Sequence, residues 1–104
     1  MVVISVMYPL THKSTFDMDY YVTSHVPLVC RLLEPMGQRE IRVYTGHSDG
    51  GTGAPRYGVI AELVFDDMDS LTVALTAHGA ETQADSPNFT DAIPVIQISE
   101  VLPL

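Results

Sequence analysis

The sequence predicts one α+β domain in which four β-strands form an antiparallel sheet and two helices lie across it. Three observations support this fold class. Four short segments are rich in β-branched and aromatic residues, and two longer segments have apolar residues at helical spacing. The segments follow the order strand, helix, strand, strand, helix, strand, which is typical of the ferredoxin-like plan. With 104 residues, the chain is predicted to be a single domain over positions 1–104 with a substantial core.

The strands are predicted from composition and alternation. They cover residues 2–8, 38–46, 57–65 and 95–101. Between the second and third strands, residues 47–56 contain three glycines and no apolar pattern, which indicates a hairpin loop that is a candidate lid.

The first helix is predicted over residues 16–36 and carries His25 on its apolar side. At 100° per residue, His25 falls within an arc of apolar side chains. The arc consists of Met18, Val22, Val26, Val29, Leu32, Leu33 and Met36. Asp17 is suited to cap the first turn, and Phe16 is placed to pack on Tyr21. Pro27 has no N–H to donate, so we expect the helix to bend or break just after His25.

The second helix is predicted to begin after a cap at Asp66 or Asp67. Its apolar arc contains Met68, Leu71, Leu75 and His78. Gly79 either interrupts this helix or is tolerated within it.

Two helices can cover only one face of a four-stranded sheet, so the other face of a monomer should be polar. The first and third strands instead have apolar residues on both faces, including Val3, Met7, Ile60 and Val64. A second copy of the sheet is the simplest cover, which predicts a homodimer with the sheets face to face. The alternative is that short strands tolerate exposed valines.

Charge and composition exclude several partners. Five Lys and Arg against thirteen Asp and Glu give a formal charge of −8, which disfavours nucleic acid and anionic membrane surfaces. Cys30 is the only cysteine, so no internal disulfide can form. The N-terminal run VVISVMY lacks a basic segment and a long apolar segment. These features predict a soluble, cytoplasmic protein.

His25 is the candidate catalytic residue, because a neutral imidazole near pH 7 can accept or give a proton. The alternative is a core histidine that is hydrogen-bonded to a backbone carbonyl. Tyr21, one turn earlier, could donate a hydrogen bond to a substrate oxygen or simply pack. His78, Asn88 and Asp91 are further candidates for substrate binding, although a helix-end histidine and turn-forming or capping residues explain them as well.

Other chemistries lack support in the sequence. The four histidines are far apart and there is one cysteine, so no metal site is predicted. Neither a Gly-x-Ser-x-Gly elbow nor a dinucleotide-binding glycine pattern occurs. Any catalysis is therefore predicted to be proton transfer on a small organic molecule without a cofactor, with haem held by a histidine as the alternative.

Two runs resemble a known family. F-D-x-D-Y-Y-x-x-x-H-x-P-L-V occupies residues 16–29, and A-D-S-P-N-F-T-D-x-x-P-V-I-Q-I-S-E-V occupies residues 84–101. Together they resemble the EthD family, and the similarity covers nearly the whole chain. The resemblance implies a dimeric α+β barrel of ferredoxin-like subunits, and the family's histidine corresponds to His25.

The resemblance also frames the function. The family is named for an accessory protein of ethyl tert-butyl ether degradation, and related members look like cofactor-free enzymes acting on polyketide-type or aromatic compounds. These include cyclases, dehydratases, decarboxylases and monooxygenases, and some proteins of the same fold bind haem. Two hypotheses follow: an enzyme that uses His25, or a non-catalytic protein that binds a small organic ligand in support of an oxygenase partner. A purely structural protein without a cavity is a third.

Overall fold

The predicted order of strands and helices is confirmed by the computed structural model, which describes residues 1–104. The strands are β1 (Val2–Pro9), β2 (Glu40–Thr45), β3 (Tyr57–Phe65) and β4 (Val95–Glu100). They form one sheet in the order β2-β3-β1-β4, and every neighbouring pair is antiparallel. This is the ferredoxin-like α+β arrangement that the sequence predicts.

The first helical region consists of four consecutive segments and is called the composite helix here. It consists of α1 (Met18–Tyr20), a π-helical segment (Tyr21–His25), α2 (Val26–Leu33) and a 3₁₀ turn (Glu34–Met36). The second helix, α3 (Met68–Ala84), is regular and is followed by a short 3₁₀ turn (Ser86–Asn88). None of these helices is long and apolar enough to cross a membrane.

The core lies between the helices and one face of the sheet. Because side chains alternate along a strand, β1 and β3 each send every second residue to this face. Ile4 pairs with Leu63 on β3 and with Ile98 on β4, so the three side chains lie side by side beneath the helices. Leu33 and Leu71 bring the composite helix and α3 into the same apolar cluster. The cluster fixes both helices against β1 and β3.

The structure corrects the prediction for the first helix. The helix begins at Met18 rather than residue 16, and it continues through Pro27, which lies in the first turn of α2. The irregularity precedes the proline as a π-helical segment, in which the Val26 N–H bonds to the Tyr21 carbonyl. Because that segment changes the angular step per residue, Val22 leaves the predicted apolar arc and is 56% exposed.

The second helix also differs from its predicted arc. Of the two predicted caps, Asp67 is the one observed, and it accepts a hydrogen bond from the Ser70 N–H. Met68, at the exposed N-terminal end, does not join the core. Gly79 lies within the continuous helix and does not interrupt it.

The face of the sheet away from the helices is mixed in character. Val3, Met7, Ile60 and Val64 are half-buried apolar residues there. They alternate with polar residues of the same face, such as Glu62. The strands therefore place apolar residues on both faces of the sheet, as the sequence predicts, with polar residues between them on this face.

Candidate active site

A cavity of about 460 Å³ lies between the sheet and the two helices. Of the 20 residues that line it, 14 are hydrophobic. Its floor includes Ile4 and Val6 of β1, and its walls include Val29 of α2 and Leu75 of α3. The lining residues include no Lys, Arg, Asp or Glu. These walls suit a small, uncharged and mostly apolar ligand.

His25 supplies the cavity with a titratable nitrogen. The residue is only 7% exposed, yet its ring lines the cavity. Nδ1 lies 2.9 Å from Oδ2 of Asp85, whereas Nε2 has no hydrogen-bond partner within the protein. Nε2 is also absent from the buried unpaired polar atoms, of which Gln38 Oε1 is the single example. The free nitrogen of the ring is therefore accessible from the cavity.

Asp85 is held by two further donors. The Tyr20 hydroxyl donates to Oδ1 at 2.7 Å, and the Asn88 side-chain amide donates to the same oxygen at 2.9 Å. Burial alone would raise the pKa of Asp85, but hydrogen bonds from Asn88, Tyr20 and His25 outweigh it and hold the pKa below its usual value. The carboxylate is therefore ionised at neutral pH.

The local sequence explains the orientation of His25. Asp17 caps the composite helix by accepting the Tyr20 N–H, and the π-helical segment follows directly. Within that segment the rings of Tyr21 and His25 stack with centroids 5.3 Å apart. Phe89 packs against the imidazole with its ring centroid 4.4 Å away. Two aromatic neighbours and one hydrogen bond thus restrict the imidazole to one orientation.

Two tyrosines add neutral donors to the cavity lining. Tyr8 and Tyr21 are buried, and neither hydroxyl has a hydrogen-bond partner in the protein. Burial raises the pKa of Tyr8 to about 12 and raises the pKa of Tyr21 further above its usual value. Both phenols therefore stay protonated at neutral pH and can donate a hydrogen bond to a ligand oxygen.

The other predicted ligand-binding residues lie outside the cavity. His78 is half-buried on α3, where its Nδ1 lies 3.0 Å from Glu81. Asn88 is exposed and contacts Asp85 rather than the cavity. Asp91 is exposed and accepts a hydrogen bond from the Thr15 N–H at 2.8 Å. Of the predicted site residues, the structure therefore brings only His25 and Tyr21 together at the cavity.

The chain offers little to a metal or haem. No group of three or more His, Cys, Asp or Glu side chains is arranged to hold a metal ion. Haem could use Nε2 of His25 as a ligand, but it carries two carboxylates that require positive partners, and no Lys or Arg lines the cavity. The residues of this cavity therefore do not fit haem.

Comparisons with known proteins agree on one family. The family model for the EthD domain matches residues 11–93. A crystal structure of an EthD-like protein from Ralstonia eutropha JMP134 is similar, with 32% identity, a TM-score of 0.88, and coverage of 98% of this chain and 92% of that one. The chain belongs to the EthD family.

More distant structures share the fold of this EthD-family chain. An ethyl tert-butyl ether degradation (EthD) family protein from Bacillus halodurans C-125 has 20% identity, a TM-score of 0.68, and coverage of 98% and 99%. A protein of Bacteroides fragilis NCTC 9343, described as dimeric with a ferredoxin-like fold, has 12% identity, a TM-score of 0.52, and coverage of 96% and 95%. No curated protein sequence matches the chain.

The two sequence runs that resemble EthD meet at the site. Residues 16–29 include His25, and residues 84–101 include Asp85 and Phe89. The Asp17 N–H donates to the Phe89 carbonyl at 2.7 Å, and Phe16 forms an isolated β-bridge with Thr90. The runs are thus joined by backbone bonds as well as by the hydrogen bond between His25 and Asp85.

Sequence reasoning did not assign every residue of this site. It gave no role to Tyr8 or Phe89, and it did not pair Asp85 with His25. Tyr8 is signalled only as the single aromatic residue of a buried strand. No short-range spacing links Asp85 to His25, since 60 residues separate them.

Proposed function

We propose that this EthD-family protein binds a small, largely apolar, oxygenated organic compound in the 460 Å³ cavity and transfers a proton with His25, without a cofactor. The observation that carries the proposal is the hydrogen bonding of the two ring nitrogens of His25. Its Nδ1 is hydrogen-bonded to Asp85, and its Nε2 is unpaired at the wall of a mostly apolar cavity. A basic nitrogen in such surroundings is suited to take a proton from a bound ligand.

The proposed step uses three groups of the chain. Nε2 of His25 takes a proton from the substrate, and the electrons of the broken bond remain on the substrate as negative charge on its oxygen. The phenol of Tyr21 donates a hydrogen bond to that oxygen, which lowers the energy of the charged intermediate. The imidazolium remains beside the ionised Asp85 and returns its proton to the substrate to form the product.

A non-catalytic binding protein is the second candidate. The apolar walls favour it, because 14 of 20 lining residues are hydrophobic and contribute mainly packing. In this case the protein would sequester the compound or deliver it to an oxygenase. It predicts saturable binding and no product that depends on the protein.

The experiment has two stages. The ring signals of His25 are followed by NMR during titration with phenols, quinones, lactones and branched ethers, and compounds that shift them saturably are assayed for conversion. His25→Asn then tests the chemistry, because the Asn amide can donate to Asp85 as Nδ1 does but offers no basic nitrogen. We expect ligand binding to persist and turnover to fall about 10²–10⁴-fold.

Two outcomes reject the catalytic proposal. Turnover by His25→Asn at the rate of the unsubstituted protein would remove His25 from the mechanism. Binding without any protein-dependent product across the responding compounds would favour the accessory function. His78→Asn is the matched control, because His78 also pairs with a carboxylate but lies outside the cavity.

We also propose that the protein acts as a homodimer through the sheet face away from the helices. Support comes from the half-buried apolar residues of that face and from the ferredoxin-like Bacteroides fragilis protein, which is described as dimeric. Ile60→Lys would place a charge in this interface and is expected to give monomers in sedimentation analysis. Thr72→Lys, on the exposed side of α3, is the control, and an unchanged mass for both variants would reject this interface.

A further inference from the structure

Asp85 uses both of its oxygens, and it uses them differently. Oδ1 accepts two hydrogen bonds, from the Tyr20 hydroxyl and the Asn88 amide. Oδ2 faces only Nδ1 of His25, at 2.9 Å. An ionised carboxylate can only accept hydrogen bonds, so Nδ1 must carry a proton to complete this contact.

We propose that Asp85 is a positioning residue that fixes His25 in the tautomer with the proton on Nδ1, so that Nε2 presents its lone pair to the cavity. Tyr20 and Asn88 support this role, because their hydrogen bonds to Oδ1 hold the carboxylate in the orientation in which Oδ2 faces His25. The catalytic meaning of this arrangement rests on the proposed function of His25. The tautomer itself does not.

The arrangement of the four residues supports this assignment. Tyr20 and His25 belong to the composite helix, whereas Asp85 and Asn88 follow α3 or lie in the next turn. The side chain of Asp85 is only 13% exposed, so water competes little for its oxygens. Since Tyr20 and Asn88 both donate to Oδ1, the cost of turning the carboxylate would be two hydrogen bonds. The orientation of the Asp85 carboxylate is therefore fixed by residues from both the composite helix and the turn after α3.

The carboxylate also matters when the ring gains a proton. An imidazolium formed at His25 would lie beside a negative charge already in place, so proton uptake needs no movement of the side chains. Without this carboxylate, the same ring could carry its proton on Nε2, and it would then offer the ligand a donor instead of a base.

The test reads the tautomer directly. Long-range ¹H–¹⁵N correlation spectra distinguish a protonated ring nitrogen from an unprotonated one, and they are recorded over a pH series so that the spectrum of the neutral ring is identified. For the unsubstituted protein we expect the His25 signals of a protonated Nδ1 and an unprotonated Nε2. Equal populations or the opposite pattern would overturn the proposal without any variant.

Asp85→Asn provides the sharper test. The single oxygen of the introduced amide is expected to stay with the two donors Tyr20 and Asn88, so its NH₂ group turns to His25. Nδ1 must then accept a hydrogen bond, and the proton moves to Nε2. The expected result is an exchange of the two ¹⁵N shifts at His25. Unchanged shifts in a folded Asp85→Asn variant would refute the positioning role.

A triple variant tests the part assigned to the two donors. With Tyr20→Phe and Asn88→Ala added to Asp85→Asn, the oxygen of the introduced amide is free to face the ring, and the Nδ1-protonated form should return. A purely structural role for Asp85 predicts no such reversal. Glu81→Gln is the matched control, because Glu81 contacts Nδ1 of His78 at 3.0 Å on the surface, and it should leave the His25 signals unchanged.

The tautomer measurement and the activity measurement can fail independently of each other. If the shifts exchange but His25→Asn still converts substrate at the original rate, the catalytic proposal fails and the control of the tautomer by Asp85 stands. If a substrate is found, Asp85→Asn is expected to lower kcat about 10²–10⁴-fold with little change in KM, because an inverted ring cannot accept the proton. An unchanged kcat alongside exchanged shifts would show that the tautomer does not limit the reaction.

Discussion

Replacing glycine by alanine at two positions should change stability in opposite directions. Gly79 lies in the interior of α3, and a Cβ added there would meet Leu75 Cβ at 3.7 Å and Leu75 Cδ2 at 3.9 Å, both ordinary contacts. Alanine is favoured over glycine in a helix interior by about 1 kcal/mol. Gly79→Ala should therefore raise Tm by about 4–8 °C for a domain of this size.

Gly37 gives the opposite expectation for the same substitution. It ends the composite helix with φ of 111°, and a Cβ there would have space, with Ser70 Cβ at 3.6 Å. The backbone conformation is the obstacle, because a left-handed residue with a side chain costs about 1–2 kcal/mol. Gly37→Ala should lower Tm by several degrees. Thermal unfolding followed by circular dichroism measures both variants, and shifts of the same sign would refute this reasoning.

Three further predictions concern the site. Phe89→Ala removes a ring that is only 3% exposed and packs on His25. This substitution should lower the free energy of unfolding in urea by about 3–5 kcal/mol, whereas Phe89→Leu should lower it by about 1 kcal/mol. Equal losses would contradict the packing argument. Asp85 has a lowered pKa in the folded state, so its contribution to stability is complete above the usual carboxyl pKa of about 4 and is lost as pH falls further. The urea midpoint of the unsubstituted protein should therefore exceed that of Asp85→Asn by an amount that shrinks below about pH 4. A difference that stays constant with pH would exclude this contribution of Asp85. Gly79→Leu places a branched side chain at the cavity wall and should weaken ligand binding in the NMR titration, while an unchanged affinity would show that the ligand does not reach α3.

Periodicity was sufficient to predict the fold because each strand and helix carries its own local pattern. Residues 57–65 are rich in β-branched and aromatic residues, and the predicted third strand matches β3 at both ends. The pattern failed where a helix departs from 100° per residue. Val22 was placed in the apolar arc on that assumption, and the wider turn of the π-helical segment moves it to the surface.

The site was only half predictable for a different reason. His25 could be found because an imidazole on an apolar helix face is unusual within its own segment. Its partner Asp85 has no such local signal, since an aspartate near a helix end is common and its contact with the ring depends on how α3 packs against the composite helix. The contacts of Tyr20 and Asn88 with Asp85 had no local signal either. Contacts between distant segments are set by tertiary packing, and a single sequence does not display them.

The position of Pro27 explains how the site can tolerate a π-helical segment. In a regular helix, the carbonyl of Thr23 would accept a hydrogen bond from residue 27, but a proline there has no N–H to give. A wider turn before Pro27 therefore loses one regular helical hydrogen bond fewer than a wider turn before any other residue would lose. In the observed turn, the Val26 N–H bonds to the Tyr21 carbonyl. The widened turn ends at His25, whose ring stacks on Tyr21 and faces the cavity. The residue expected to break the helix thus lowers the energetic cost of the geometry that presents the imidazole.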